Sequence, residues 1–146
     1  MTQIGFHFNV PDKVRYACTL ARNAVTADDA KVVVVGDAAT LDALDAALWR
    51  AGPAEFVAHC RGDAPMHVLT RSPVILATRA DGALPHQQVL INLMHEVLGG
   101  FERFEHLFEL VTRDPQDRAS GRERVRHYRH RGYAVEMKDL ANRGER

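Results

Sequence analysis

Arginines that recur every four residues near the C-terminal end have the clearest potential chemistry in this chain. Arg118, Arg122 and Arg126, here called the arginine row, would share one face of a helix. Guanidinium groups bind carboxylates and phosphates through charge-assisted hydrogen bonds, and Val125 and Tyr128 would lie nearby as apolar neighbours. A charged helix face is more often simply solvated. The pattern therefore indicates either an anion-binding surface or a solvated face.

The residues around the arginine row predict one capped helix over positions 114–132. Asp114 suits the N-cap, and Pro115 suits the first helical position. Gly132 would end the helix in the left-handed conformation. Gly121 lies in the middle of this helix, where we expect it to cost about 1 kcal/mol relative to alanine. Arg129 and His130 would extend the charged face.

The charge of the chain is segregated along the sequence. From position 113 onwards there are 10 basic and 6 acidic residues, which leaves 9 basic and 13 acidic residues before it. The whole chain is neutral, with 19 Lys and Arg against 19 Asp and Glu. Such segregation favours one orientation toward a charged partner and argues against a generally basic nucleic-acid coat.

Length and composition indicate one globular domain. The 146 residues are enough for a real core, and we expect a domain over 1–140 with a flexible tail over 141–146. We see neither a signal peptide nor an apolar run long enough for a membrane span, so a bacterial cytoplasmic protein is expected. Cys18 and Cys60 lack a paired spacing and are predicted to be buried free thiols.

Apolar periodicity predicts alternating strands and helices. The residues KVVVV at 31–35 are typical of a strand buried on both faces, as in a parallel sheet. We therefore predict an α/β fold, a three-layer sandwich around a mostly parallel sheet, Rossmann-like but without a nucleotide site. Strands are predicted at 4–8, 31–35, 56–58, 74–77, 89–93, 107–111 and 133–137. Helices are predicted after Pro11, from a Thr40 cap, at 101–104 and over the arginine row, with loops at 61–72 and 79–87.

Motifs of nucleotide, metal and nucleophile chemistry are missing from the sequence. There is no GxxxxGK[ST] and no GxGxxG after the first strand, where the turn is Asn9-Val10-Pro11. No GxSxG nucleophile elbow occurs. His127 and His130 are three residues apart, but they lie among arginines that would repel a cation. We expect no metal ion, no cofactor and no catalytic residue.

An aromatic cluster at the end of the second predicted helix is the other candidate binding surface. Trp49 precedes the turn at Gly52-Pro53, and Phe56 and Val57 follow closely. Such a cluster is often a corner of the core. It is also typical of protein-binding surfaces, where Trp and Phe act as anchors.

Three segments together resemble the chi subunit family of bacterial DNA polymerase III. The first is LDALDAALWRAGPAEFVAH at 41–59, with its leucine-rich helix, Trp and closing His. The second is the pair VLINL and FELV at 89–93 and 108–111. The third is GRERVRHYRHRGYAV at 121–135. The segments follow the order found in the family and span most of the chain.

The resemblance implies a non-catalytic accessory subunit of the polymerase holoenzyme, a DNA-directed nucleotidyltransferase complex. Family members bind the psi subunit, which links them to the clamp loader. They also bind the acidic C-terminal tail of single-stranded-DNA-binding protein, which ends in a phenylalanine carboxylate. DNA would be contacted only indirectly, and no membrane is involved.

The resemblance also assigns residues to two surfaces. The tail site would comprise Arg118, Arg122, Arg126, Tyr128, Val125 and Val111. The psi site would comprise Trp49, Phe56, Leu48 and Val57. Two alternatives stay open at this point: a direct single-stranded-DNA binder, for which interleaved aromatic residues are sparse, and a nucleotide-dependent enzyme, which the missing motifs disfavour.

Overall fold

The computed structural model describes residues 1–141, in which strands and helices alternate. The strands β1 to β7 are Gln3–Val10, Val32–Val35, His59–Arg61, Val74–Ala77, Val89–Asn92, His106–Thr112 and Val135–Asp139. The helices α1 to α4 are Lys13–Asp28, Ala38–Arg50, Met66–Arg71 and Pro115–His130. A short 3₁₀ turn, Phe101–Arg103, precedes β6.

Across these residues the seven strands form one sheet, and every pairing in it is parallel. The strand order is β3-β4-β2-β5-β6-β1-β7. In the centre, Val33 of β2 lies between Ile75 of β4 and Leu90 of β5. Because parallel neighbours need crossover connections, the helices cover both faces of the sheet. The predicted α/β sandwich is confirmed.

Alternate side chains of the strands form two cores, one on each face of the sheet. On one face Val32 packs with Ala21 of α1 and Leu44 of α2. On the other face Val33 belongs to the cluster that contains Tyr128 of α4. The strand periodicity of two residues therefore separates a layer holding α1 and α2 from a layer holding α3 and α4.

The predicted strands are confirmed wherever the sequence pattern is strong. All four residues of β2 are fully buried, as expected for a β-branched run in a central parallel strand. Ile4 and Phe6 of β1 alternate into the core, as their spacing predicted. The strands predicted at 74–77, 89–93, 107–111 and 133–137 correspond to β4, β5, β6 and β7.

The three long helices all begin at an aspartate. Each carboxylate accepts a hydrogen bond from the backbone amide three residues later, the pairs being Asp12 with Arg15, Asp37 with Thr40 and Asp114 with Asp117. The prediction that Thr40 caps α2 was wrong, because Asp37 takes that role and Thr40 donates its amide at 2.8 Å. This backbone hydrogen bond lowers the pKa of Asp37.

Two further local predictions were wrong. The strand predicted at 56–58 is an irregular segment, and the chain enters the sheet only at His59–Arg61, which forms the edge strand β3. The predicted loop at 61–72 contains helix α3, which begins after Pro65. Both segments are short, so tertiary contacts rather than local periodicity decide their structure.

Several chain-wide predictions are resolved within 1–141. Cys18 and Cys60 are free thiols, and Cys18 is buried as predicted, whereas Cys60 is partly exposed. No helix in the described part of the chain is long and apolar enough to cross a membrane. Of the predicted flexible tail at 141–146, residues 142–146 lie outside the described residues.

Candidate functional site

Helix α4 presents the arginine row on its outer face, as predicted. Its bounds follow the expected signals, with Asp114 as the N-cap, Pro115 in the first turn and Gly132 at φ 90° after the last turn. Arg118, Arg122 and Arg126 are all exposed. Together with Arg129 they line one side of a pocket of about 460 Å³.

The floor of this pocket, here called the α4 pocket, is apolar. It is formed by Phe6 and Phe8 of β1, Val111 of β6, Val125 of α4 and Met137 of β7. Phe6 and Val111 are buried, whereas Met137 is 49% exposed and stands at the open edge. The pocket thus joins a cationic rim to a slot that can hold an apolar side chain.

Most of the positive charge around the α4 pocket is not neutralised. Within the described residues, Arg118, Arg122 and Arg129 form no ion pair. Arg126 donates to Glu123 at 2.7 Å, but both side chains are about 70% exposed. Such a solvated pair contributes little and exchanges readily for another carboxylate. The rim is therefore free to bind an anionic group.

Gly121 allows α4 to approach the sheet closely at the α4 pocket. A Cβ atom at this position would lie 2.9 Å from Cγ2 of Val111. We interpreted Gly121 as a weak point of the helix, but its lack of a side chain is what lets α4 pack against β6. The cost in helix propensity accompanies a close contact that a larger residue would prevent.

Tyr128 does not lie at the arginine row. Its side chain is fully buried, and its hydroxyl donates a 2.5 Å hydrogen bond to Glu109. The ring packs edge-on against Phe101 at 5.2 Å between centroids. The expectation that Tyr128 flanks the bound ligand is thus corrected. Its side chain lies in the core between α4 and the sheet.

A buried polar network that sequence reasoning missed lies under α4. Glu109 is fully buried, although charged side chains usually lie at the surface. Its carboxylate accepts hydrogen bonds from Arg124 Nε at 3.0 Å, from Tyr128 and from Asn92. Burial raises the pKa of Glu109, and the charge of Arg124 opposes that rise. The network ties α4 to β5 and β6.

Arg124 reaches across the C-terminal edge of the sheet. Its Nη1 donates to the carbonyl oxygen of His95 at 3.0 Å and to Ser120 Oγ at 2.5 Å. Its side chain is 2% exposed, in contrast to the neighbouring arginines of the row. Among the described residues, its Nη2 is a buried polar atom without a partner. Removing Arg124 would leave the Glu109 carboxylate buried without its cation.

The spacing of the buried residues of α4 could have revealed this inner face. Asp117, Gly121, Arg124 and Tyr128 follow each other at intervals of four, three and four residues. That is the period of one helix face. The signal was obscured because two of the four side chains are charged, and charged residues are expected on the outside.

Asp117 anchors the first turn of α4 to the edge of the sheet. Its carboxylate accepts from the Thr112 backbone amide at 2.8 Å and pairs with Lys13 of α1 at 3.0 Å. Burial alone would raise the pKa of Asp117, but the Thr112 and Lys13 contacts outweigh it and lower the pKa. The start of α4 is therefore held by two neighbouring elements.

The predicted aromatic cluster is exposed rather than a corner of the core. Trp49 at the end of α2 is 64% exposed, and Phe56 in the following segment is 41% exposed. Their rings are 5.2 Å apart between centroids. Leu48 and Val57 lie buried underneath and support the pair without reaching the surface. We call Trp49 and Phe56 the aromatic patch.

The α4 pocket and the aromatic patch lie on opposite faces and toward opposite ends of the sheet. Helix α4 packs on β6 and β7, whereas α2 packs on β4 near the β3 edge. Leu48 belongs to the core of the α1 and α2 layer, and Val111 to the core of the other layer. Two partners could therefore bind without contacting the same residues.

No cluster suited to a metal occurs in the described part of the chain. Within residues 1–141, no group of three or more His, Cys, Asp or Glu side chains is placed to hold an ion. Near the end of β1, Asn9 takes the left-handed conformation at φ 60°, and Asp117 lies near the end of β6. A carboxylate at this edge disfavours the binding of a phosphate.

Comparisons with known proteins agree on one assignment. A family model described as "DNA polymerase III chi subunit, HolC" matches residues 1–136. A Pseudomonas aeruginosa protein named "DNA polymerase III subunit chi" is 29% identical to this chain, and the match covers 93% of this chain and 95% of that protein.

Proposed function

This chain belongs to the DNA polymerase III chi subunit family, replication accessory subunits, and we propose that it is a non-catalytic adaptor with two docking surfaces. The α4 pocket binds the acidic C-terminal tail of single-stranded-DNA-binding protein. The aromatic patch binds the psi subunit of the clamp-loader complex. The observation that carries this proposal is the juxtaposition of unpaired arginines with an apolar floor in the α4 pocket.

A tail that ends in phenylalanine matches both parts of the α4 pocket. Its aspartates and terminal carboxylate would pair with Arg118, Arg122 and Arg129, which are exposed and have no ion pair within the described residues. Its phenyl ring would enter the slot between Val125 and Met137. Exposed ion pairs contribute about 0–1 kcal/mol each, and burial of one phenyl ring about 1.5–3 kcal/mol. Together these contributions reach at most about 6 kcal/mol, so binding of an isolated tail peptide should be weak, in the range of tens of micromolar or more, and sensitive to salt.

The psi subunit is proposed to cover the aromatic patch. An indole and a phenyl ring exposed side by side carry an unfavourable hydration free energy that a partner removes. Trp is among the residues most enriched at binding hot spots. Because the contact depends on apolar burial, it should be tighter and less sensitive to salt than the tail contact.

Titration calorimetry with a peptide that copies the tail of the same organism tests the proposed tail site. Weak binding that needs the final Phe and weakens with salt is the expected result. The matched control is the same peptide without its final Phe, and a single-stranded oligonucleotide of similar charge is the second control. No peptide binding at low salt by folded protein, or tighter binding of the oligonucleotide, would contradict the proposal.

A further inference from the structure

The outer edge of the sheet at β7 lies next to the α4 pocket. Strand β7 ends the sheet, and within residues 1–141 it pairs with β1 alone. An edge strand leaves every second N–H and C=O of its backbone outside the ladder, so these groups can bind another extended chain. The three central residues of β7, Glu136, Met137 and Lys138, are all exposed. This edge therefore offers backbone donors and acceptors to a partner.

Met137 connects the β7 edge to the α4 pocket. Its side chain lines the pocket together with Phe6 of β1 and Val125 of α4, and it is 49% exposed. The sheet forms the floor of the pocket, helix α4 forms one wall, and Met137 stands at the side that is open. A peptide whose last ring fills the slot therefore passes close to the backbone of β7 as it leaves the pocket.

Side chains of β7 alternate between the two faces of the sheet. Val135 packs against the core beneath α4, and Met137 lies in the α4 pocket. Glu136 lies on the other face, where it lines a separate cleft with Phe108. A peptide strand beside β7 would have the same period of two residues. Every second side chain of that peptide would then lie on the side of the arginine row.

The charges along the β7 edge favour an acidic strand over an apolar one. On the α4 side, Arg126 and Arg129 belong to the cationic rim of the pocket. On the other face, Glu136 and Lys138 carry one charge of each sign. Charged side chains on an edge strand disfavour pairing with an apolar strand. Carboxylates on alternate residues of an acidic strand would instead reach the exposed guanidinium groups.

The opposite edge of the sheet, at β3, has different properties. Strand β3, His59–Arg61, has three residues and pairs with β4. Arg61 already lies between two carboxylates, at 3.2 Å from Asp42 and 3.6 Å from Asp45. Among the described residues that line the α4 pocket, none belongs to β3. Strand β3 is therefore a control, within the same molecule, for binding that is specific to β7.

We infer that the acidic tail binds β7 as an additional strand of the sheet while its final phenylalanine fills the α4 pocket. The inference rests on the proposed function, because it takes the tail of single-stranded-DNA-binding protein as the ligand of that pocket. Strand pairing adds main-chain hydrogen bonds to the ion pairs and the buried ring. It also requires the tail to bind in an extended conformation, whose two-residue period can be detected by experiment.

Tail peptides with one N-methylated amide test the strand pairing, because methylation removes a single backbone donor and keeps the side chain. Each residue before the final Phe that has a backbone N–H is methylated in turn, and affinity is measured by calorimetry at low salt. Binding should weaken about fivefold at every second position, where the N–H faces β7 and one hydrogen bond is lost. The intervening positions are the matched controls, and there the loss should be about twofold or less. Equal losses at adjacent positions, or no loss at any position, would overturn the inference.

Amide hydrogen exchange of the protein gives the second test. Within Val135–Asp139, the amides that point away from β1 should exchange quickly in the free chain and at least about tenfold more slowly with saturating peptide. The amides of His59–Arg61 on the opposite edge should not change. Unchanged exchange along β7 in the complex would overturn the inference. Protection in the free chain that grows with protein concentration would also overturn it, because a second copy would then occupy this edge.

The inference and the proposed function fail in different ways. If the unmodified peptide does not bind folded protein at low salt, the tail is not the ligand, and both are wrong. If the peptide binds through its final Phe but its N-methylated forms bind equally well, the α4 pocket stands as the tail site. In that case only strand pairing at β7 is lost.

Discussion

The α4 pocket and the aromatic patch offer opposite chemistry on opposite faces of one sheet. The pocket has a cationic rim, and its charges are exposed and mostly unpaired within the described residues. The patch has two exposed rings, and the charges near it are already paired with one another. Salt should therefore weaken binding at the first surface more than binding at the second.

What supports each surface differs as well. The α4 pocket stands on a fully buried network in which Arg124 and Tyr128 share the Glu109 carboxylate. The aromatic patch stands on His59, whose partner Asp45 is partly exposed. A deeply buried ionic network is costly to disrupt, because loss of one charge leaves its partner buried and unpaired. Loss of a buried partner should therefore cost more stability beneath the α4 pocket than beneath the aromatic patch.

The largest predicted effect is a loss of stability when a residue on the inner face of α4 is replaced. Arg124→Ala should lower the free energy of unfolding by about 3–5 kcal/mol, because Glu109 loses its buried cation. Urea denaturation followed by circular dichroism measures this. Arg122→Ala, two residues away on the outer face, should change stability by about 0.5 kcal/mol or less. Similar losses for both variants would mean that the two faces of α4 do not differ as described.

A second prediction separates the two docking surfaces. Trp49→Ala should weaken psi binding by about 2 kcal/mol, roughly thirtyfold, since a Trp anchor is removed. Tail-peptide affinity should stay the same because the α4 pocket is on the other face. Calorimetry with each partner gives both values. Met66→Ala is the control, as Met66 is similarly exposed at 52% but lies on α3. Loss of both partners would show that the surfaces are coupled.

A third prediction concerns the close packing of α4. Gly121→Ala should lower the free energy of unfolding by about 2 kcal/mol, because overpacking against Val111 exceeds the gain in helix propensity. Tail binding should fall too, since Val111 forms part of the pocket floor. Adding Val111→Ala should restore part of the stability. In contrast, Gly52→Ala should be nearly neutral, as nothing lies within 4 Å of its added Cβ.

Asp117, which anchors the first turn of α4, gives a prediction with a defined pH dependence. Asp117→Asn should cost about 1–1.5 kcal/mol near pH 7, where the wild-type carboxylate is ionised and pairs with Lys13. Because folding lowers the pKa of Asp117, its contribution is complete above its unfolded pKa of about 3.9 and is lost as pH falls through the folded pKa. Denaturation at several pH values should show the two proteins converging in acid.

Asp114→Asn is the control for that measurement. Asparagine caps a helix about as well as aspartate, so stability near pH 7 should hardly change. A pH-independent loss in Asp117→Asn would mean that the ion pair with Lys13 is not what Asp117 contributes.

The smallest predicted effect is the loss of tail-peptide affinity when one arginine of the row is replaced. Arg122→Ala should weaken tail-peptide binding about threefold to fivefold at low salt, because one exposed ion pair is worth about 0–1 kcal/mol. The difference should disappear near 1 M salt, where the Debye length is about 3 Å. Arg15→Ala, on α1, should leave the affinity unchanged, and psi binding should be the same in all three proteins. A salt-independent loss would point to a change of shape instead.

Much of the fold could be predicted because the sequence patterns that specify it involve residues close together along the chain. The valine run of β2, the alternation of Ile4 and Phe6, and the Asp114 cap each depend on neighbours in sequence. Where the local signal was short or ambiguous, prediction failed. The strand predicted at 56–58 forms instead at His59–Arg61. The cap of α2 predicted at Thr40 is instead Asp37.

The sequence by itself determined that the arginine row shares one helix face and that Trp49 and Phe56 lie close together, since helix period and chain proximity suffice. Only the tertiary structure decided the rest. Tyr128 turned inward because β6 brings Glu109 beneath it, and the floor of the α4 pocket comes from strands far apart in sequence. The contact between His59 of β3 and Asp45 of α2 also forms only in the fold. Partners across a sheet follow from strand order, which local patterns do not record.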